Sequence, residues 1–182
     1  MFNSCSNIIL IGMAGSGKST IGSLLARKLS CRFIDTDTLI EQAQNRTLQE
    51  IIEILGPMGF RRIEEQVLLR VNLKDHVIAT GGSSIYSHAG MMHLKKNGLV
   101  ILLDVALPVL EARLHNLNTR GLVKFPDQSF ADLFAERLPL YKKYADRAVA
   151  CLDMGKEEIC ERIIEMLNNP ESRAESGMHR QG

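Results

Sequence analysis

A parallel β-sheet covered by helices on both faces, an α/β architecture, is the fold class that three features of the 182-residue sequence predict. Strand and helix patterns alternate along the chain. The segments 7–11, 76–80 and 99–103 are short unbroken apolar runs, the pattern of strands buried on both faces. The first of them leads into Gly12-Met13-Ala14-Gly15-Ser16-Gly17-Lys18-Ser19 and then directly into a helical pattern. A phosphate-binding loop, G-x-x-x-x-G-K-[ST], therefore sits in the strand–loop–helix context that it requires.

Two further strands are expected near 32–35 and 147–152. Helices are expected over 18–30, 37–44, 47–55, 57–74, 87–96, 106–116, 128–145 and 155–168. Pro108 suits a first helical turn, where its missing N–H leaves no bond unmade. The segment 116–129 carries Gly, Pro, Asn and Asp with little periodicity, which is expected of a mobile lid. Neither an internal repeat nor a linker interrupts the chain, so 1–168 reads as one domain, followed by a tail at 169–182 expected to be disordered.

Composition excludes several classes. Lys and Arg number 22 against 21 Asp and Glu, a net charge of +1, so no global field draws the chain to nucleic acid or an anionic membrane. Cys5, Cys31, Cys151 and Cys160 are widely spaced with no C-x-x-C pair; they read as small apolar fillers in a reducing cytoplasm. The N-terminal apolar run ends in the glycine loop rather than in a cleavage site, and the stretch 99–110 is broken by Asp104 and Pro108, too short to span a membrane.

The candidate chemistry begins at the loop. Its glycines let successive amides turn inward onto a phosphate, and the helix that follows adds its own free N–H groups and positive dipole end. Lys18 is placed along the β- and γ-phosphates, and the Ser19 hydroxyl is placed on Mg²⁺. Phe33-Ile34-Asp35-Thr36-Asp37 puts two carboxylates at i and i+2 where the second strand ends; strand alternation would put both on one face, at the sheet edge where ligands bind. One acid would serve the metal and the other would take a proton from an attacking hydroxyl; the competing reading is a helix cap. Arg61 lies one turn from Glu64 and Glu65, so a carboxylate-held guanidinium clamp for a substrate carboxylate and a plain surface ion pair both fit the spacing. Thr80-Gly81-Gly82-Ser83 follows the third strand and allows backbone to approach a ligand, or simply makes a tight turn. Arg113, Arg120 and Arg137 flank or lie within the expected lid.

Taken in order, GMAGSGKST, FIDTD, FRRIEE, TGG, the Arg120 segment and Glu136-Arg137-Leu138-Pro139-Leu140-Tyr141 make the chain resemble the shikimate kinase family from about Asn7 to Leu167. The resemblance implies a P-loop NTPase fold of the nucleoside-monophosphate-kinase type, with a five-stranded parallel sheet in order 2-3-1-4-5 and a lid over ATP. It implies transfer of the γ-phosphoryl of ATP to the 3-hydroxyl of shikimate, in aromatic amino-acid biosynthesis. By motif, Gly12, Met13, Ala14, Gly15, Ser16, Gly17, Lys18, Ser19 and Thr20 would hold the nucleotide, with Arg113 near the adenine. Ser19 would bind Mg²⁺, and Asp35 would reach it through water. Asp37 would hold substrate hydroxyls and act as base; Arg61, Gly81, Gly82 and Arg137 would line the acceptor site, supported by Glu64; Arg120 would face the transferred phosphoryl from the lid. Two positions depart from the family pattern: Ser83 stands where a third glycine is usual, and Gly121 where the lid usually has proline.

Alternative readings are a kinase of another small hydroxy acid, such as gluconate or homoserine, and a nucleotide-dependent switch. The absence of an N-K-x-D guanine-reading motif counts against the switch. The expected partner is a small-molecule substrate, with no nucleic acid and no membrane, for a cytoplasmic enzyme acting as a monomer.

Overall fold

The computed structural model describes residues 6–116, 122–152 and 154–169. The elements run β1 (Asn7–Ile11), α1 (Lys18–Leu29), β2 (Arg32–Asp35), α2 (Thr36–Gln44), α3 (Leu48–Arg70), β3 (His76–Ala79), α4 (His88–Lys96), β4 (Gly98–Asp104), α5 (Leu107–Asn116), α6 (Phe130–Tyr144), β5 (Arg147–Ala150) and α7 (Lys156–Asn168). A 3₁₀ turn, Ser84–Tyr86, precedes α4. The strands form one parallel sheet in the order β2-β3-β1-β4-β5. The unbroken apolar runs occupy its three central positions: β1 and β3 are buried throughout, as are Val100–Leu103 of β4, whereas β2 and β5 at the edges are partly exposed. The sequence order reverses around β1, so the crevice where such sheets bind ligands opens at its C-terminal end.

Two apolar clusters result among the described residues. The larger packs α1, α4, α6 and α7 against the sheet around Ile9, Leu10, Ile78, Ile101 and Leu102. The smaller one, Ile40, Ile51, Phe60, Val67 and Val123, lies under α2 and α3, and Val123 packs part of the segment 116–129, expected as a mobile lid, onto it. Within α3 the backbone breaks at Gly56 (φ 66°, ψ 175°), immediately before Pro57. The two helices expected on either side of residue 56 are thus separate rods joined at a kink, and the second ends at Arg70 rather than 74 because Val71 is already extended. α2 begins at Thr36, one residue earlier than expected. Lid residues 117–121, Arg120 and Gly121 among them, and tail residues 170–182 lie outside the described residues. No described helix is long and apolar enough to cross a membrane. Cys151 and Cys160 are buried free thiols, and Cys31 is half-buried and free.

Candidate active site

The loop between β1 and α1 is built from main-chain geometry. Gly12, Gly15 and Gly17 all have positive φ, at 147°, 81° and 91°. At Gly12 a side chain is also excluded by space, because a Cβ would lie 2.9 Å from the Leu103 carbonyl oxygen. Lys18 Nζ folds back onto the Gly12 and Met13 carbonyls, 2.8 Å from each. Burial lowers the Lys18 ammonium to about 8, although Asp37 and Asp35 partly oppose the shift. An anion placed in the loop would restore the charge preference that burial removes. Arg113 Nη1 donates to the Gly15 carbonyl at 3.0 Å, which puts a guanidinium on the outer wall of the loop. Met13 and Ser16 are buried; Ser19 and Thr20 face solvent at the helix start.

Asp35 and Asp37 do not lie on one strand face. Asp35 ends β2 and caps α2, its Oδ1 accepting from the Asp37 amide at 3.0 Å, while Asp37 sits in the first helical turn. The early helix start overrides strand alternation, and the capping role belongs to the first acid. Asp35 Oδ2 also accepts from the Ser19 hydroxyl at 2.5 Å, joining β2 to the start of α1. Those two oxygens test the fit of a metal. No group of three or more His, Cys, Asp or Glu side chains is arranged as a metal cage among the described residues. A hydroxyl beside one carboxylate suits Mg²⁺, which keeps several waters and takes other ligands from phosphate oxygens.

Beyond β3 the chain turns at Gly81-Gly82. The Gly81 amide donates to Thr36 Oγ1 at 3.0 Å, fixing the turn to the start of α2. Here glycine is required by what converges on it: a Cβ would lie 2.3 Å from Glu64 Oε1 and 2.6 Å from Asp37 Oδ1. Two carboxylates from different helices therefore meet over one backbone position. Burial raises Asp37 to about 6, with Asp35 adding to the rise and Lys18 opposing it. Burial raises Glu64 to about 8, opposed first by a hydrogen bond from Ser83. At Gly82 a Cβ would lie 3.2 Å from Arg137 Nη1 and 3.5 Å from the Ala14 amide nitrogen, so this turn also touches the phosphate loop. The Gly82 carbonyl accepts from the Tyr141 hydroxyl at 2.6 Å.

Ser83, the departure from the family glycine, occupies ordinary backbone space (φ −96°, ψ −5°) and donates from its hydroxyl to Glu64 Oε2 at 2.6 Å. The expected pairing of Arg61 with Glu64 or Glu65 is absent: Glu65 accepts from Ser87 Oγ at 2.5 Å, and no ion pair among the described residues involves Arg61. Arg61 instead stacks on Tyr86, its Cζ 3.4 Å from the ring centroid. A ring face can hold a guanidinium while leaving its edge donors available, which a carboxylate partner would not. Arg137 is buried and donates to the Val123 carbonyl and, at 3.3 Å, to the Tyr86 hydroxyl. The structure thus gathers Asp37, Arg61, Glu64, Gly81, Gly82 and Arg137 beside the Lys18 loop. Tyr86 is the contact that motif reading did not supply; Ser83 and Tyr141 stand within motifs, and their bonds to Glu64 and Gly82 come from the structure.

A glycine loop cradling a lysine at the switch point of a five-stranded parallel sheet, with carboxylates and guanidiniums gathered beside it, fits the P-loop kinases as a class. The shikimate kinase family model matches residues 14–168. Shikimate kinase of Thermodesulfovibrio yellowstonii is 37% identical over 161 residues, 87% of this chain and 92% of the relative. That of Caldanaerobacter subterraneus is 36% identical over the same length, covering 94% of the relative. Among solved structures, shikimate kinase from Acinetobacter baumannii in complex with shikimate superposes with a TM-score of 0.85 at 30% identity, covering 94% of this chain and 98% of that one. The enzyme from Aquifex aeolicus superposes with a TM-score of 0.76 at 33% identity, covering 89% and 96%. The chain belongs to the shikimate kinase family, a family of phosphotransferases.

Proposed function

We propose that this chain transfers the γ-phosphoryl of ATP to the 3-hydroxyl of shikimate. The observation that carries the reading is the convergence, within contact of the phosphate loop, of two carboxylates over Gly81 and two guanidiniums near Gly82 and Tyr86. Carboxylates accept from hydroxyls and guanidiniums bind a carboxylate, so the pocket matches an acceptor that carries both groups.

The amides of residues 12–19 bind the triphosphate, and Lys18 exchanges its loop carbonyls for phosphate oxygens. Ser19 and Asp35 would hold Mg²⁺, directly and through water, and the ion would supply positive charge to the phosphates. Asp37 orients the acceptor hydroxyl and takes its proton; with burial placing it near 6, it is ionised at neutral pH yet basic enough to serve. Arg61 and Arg137 bind the acceptor carboxylate, and Glu64 braces the same pocket. Arg113 lies on the nucleotide side, and Arg120 from the lid supplies charge to the moving phosphoryl. With the acceptor fixed and charge compensated in advance, catalysis is mainly positioning and electrostatics.

An ADP-release assay across shikimate, quinate, gluconate, homoserine and nucleoside monophosphates tests the reading. Turnover should be greatest by far with shikimate; preferential turnover of any other acceptor would replace it.

A further inference from the structure

Arg61 is held in an unusual way. Its Nε and Nη2 are buried and lack hydrogen-bond partners, and its one polar contact among the described residues is Met58 Sδ, 4.0 Å from Nη1. Such a guanidinium stays in place only if something compensates its lost hydration; the Tyr86 ring at 3.4 Å does so at close contact, and the Phe125 ring stands farther off at 5.8 Å. The same ring lies 5.3 Å from Arg137 Cζ, and its hydroxyl accepts from Arg137 Nε at 3.3 Å. That hydroxyl donates in turn to Glu136 Oε1 at 2.6 Å, and Glu136 also accepts from Gln128. The bond from Tyr86 holds the Glu136 carboxyl below its usual range, while burial raises the Tyr86 phenol, so the hydroxyl stays protonated and its direction is fixed.

The geometry points to Tyr86 as the positioning residue of the acceptor site: its face holds Arg61, its hydroxyl holds Arg137, and one ring thereby sets both guanidiniums to receive a substrate carboxylate. Tyr86 lies four residues beyond Gly82, so the turn that lines the pocket and the ring that orients its two cations belong to one short segment. This assignment rests on the acceptor reading above and adds to it the residue that fixes how the acid group is recognised.

The test compares shikimate with its methyl ester, which keeps the hydroxyls and removes the negative charge. Tyr86→Leu should raise the KM for shikimate roughly tenfold or more while leaving the KM for ATP unchanged. It should also collapse the preference for acid over ester that the wild-type enzyme shows. Tyr86→Phe keeps the face and removes the hydroxyl, so the shikimate KM should rise about threefold. A merely structural role for the ring would raise both KM values together and spare the acid preference. If Tyr86→Leu fails to fold, Tyr86→Phe decides: an unchanged shikimate KM overturns the assignment. A wild-type enzyme indifferent to the ester, or a Tyr86→Leu enzyme that keeps the full preference, overturns it while leaving shikimate phosphorylation standing. A wild-type enzyme that releases no ADP on addition of shikimate removes both.

Discussion

The two halves of the site are made of different material. The phosphate half is main chain: three glycines at positive φ, the amides between them, and a lysine resting on the loop's own carbonyls. The other half, which we propose takes the acceptor, is mainly side chain: Asp37 from α2, Arg61 and Glu64 from α3, Tyr86 from the 3₁₀ turn and Arg137 from α6, set around the Gly81-Gly82 turn after β3. A backbone cradle suits a ligand presenting the same phosphates every time. A side-chain pocket can be retuned one contact at a time, as the bond from Ser83 to Glu64 illustrates. The halves touch where Gly82 packs near the Ala14 amide, which is where a phosphoryl group would cross.

That contrast yields separable losses. Lys18→Ala should lower kcat about a thousandfold with every acceptor, because it strips charge from the shared phosphate half. Steady-state rates across two acceptors would check it, and a loss limited to one acceptor would break the division.

Asp37→Asn should lower kcat about a hundredfold with little change in the KM for ATP. In the wild-type enzyme, kcat/KM for ATP should rise through about pH 6 as Asp37 ionises and fall above about pH 8 as Lys18 of the nucleotide-free loop loses its proton. The acid limb should vanish in Asp37→Asn and the alkaline limb remain, which a pH–rate series would show.

Arg61→Ala should raise the KM for shikimate roughly thirtyfold and leave ATP affinity unchanged, since the guanidinium serves one half only. Initial-rate kinetics with each substrate varied in turn would expose any leakage between halves.

The smallest effect concerns stability. The folded-state pKa of Asp37 is raised, so between the unfolded value near 3.8 and about 6 the folded chain binds more protons than the unfolded one. This carboxyl therefore costs stability as pH rises through that window. Asp37→Asn should melt a few degrees higher than wild type at pH 7, and the difference should shrink toward pH 4, as calorimetry at the two pH values would show.

Sequence legibility followed the same division. Buried parallel strands announce themselves as apolar runs, and a main-chain cradle needs its glycines at fixed spacing, so β1, β3, β4 and the loop were readable from local pattern. The acceptor half depends on residues distant in sequence, and there local rules misled. Strand alternation placed Asp35 and Asp37 on one face, but the helix starts at Thr36 and makes Asp35 its cap. Helical spacing offered Glu64 and Glu65 to Arg61, but tertiary contacts gave those acids to Ser83 and Ser87 and gave Arg61 to Tyr86. Nothing in Ser84-Ile85-Tyr86 marks a tyrosine that will lie under an arginine 25 positions earlier. Motif order nevertheless singled out Asp37, Arg61, Glu64, Gly81, Gly82 and Arg137, which the structure gathers beside the loop, because it carries the pattern of the whole fold rather than of one segment.

The central claim is that the two halves act on a single phosphoryl group, passing it from nucleotide to alcohol. Phosphorus NMR of the enzyme with magnesium, ATP and shikimate follows that group directly. The γ-phosphorus signal should be replaced by that of a phosphate monoester, with ADP formed in equal amount and no reaction when shikimate is left out. Conversion of ATP to ADP and inorganic phosphate at the same rate with and without shikimate would contradict it.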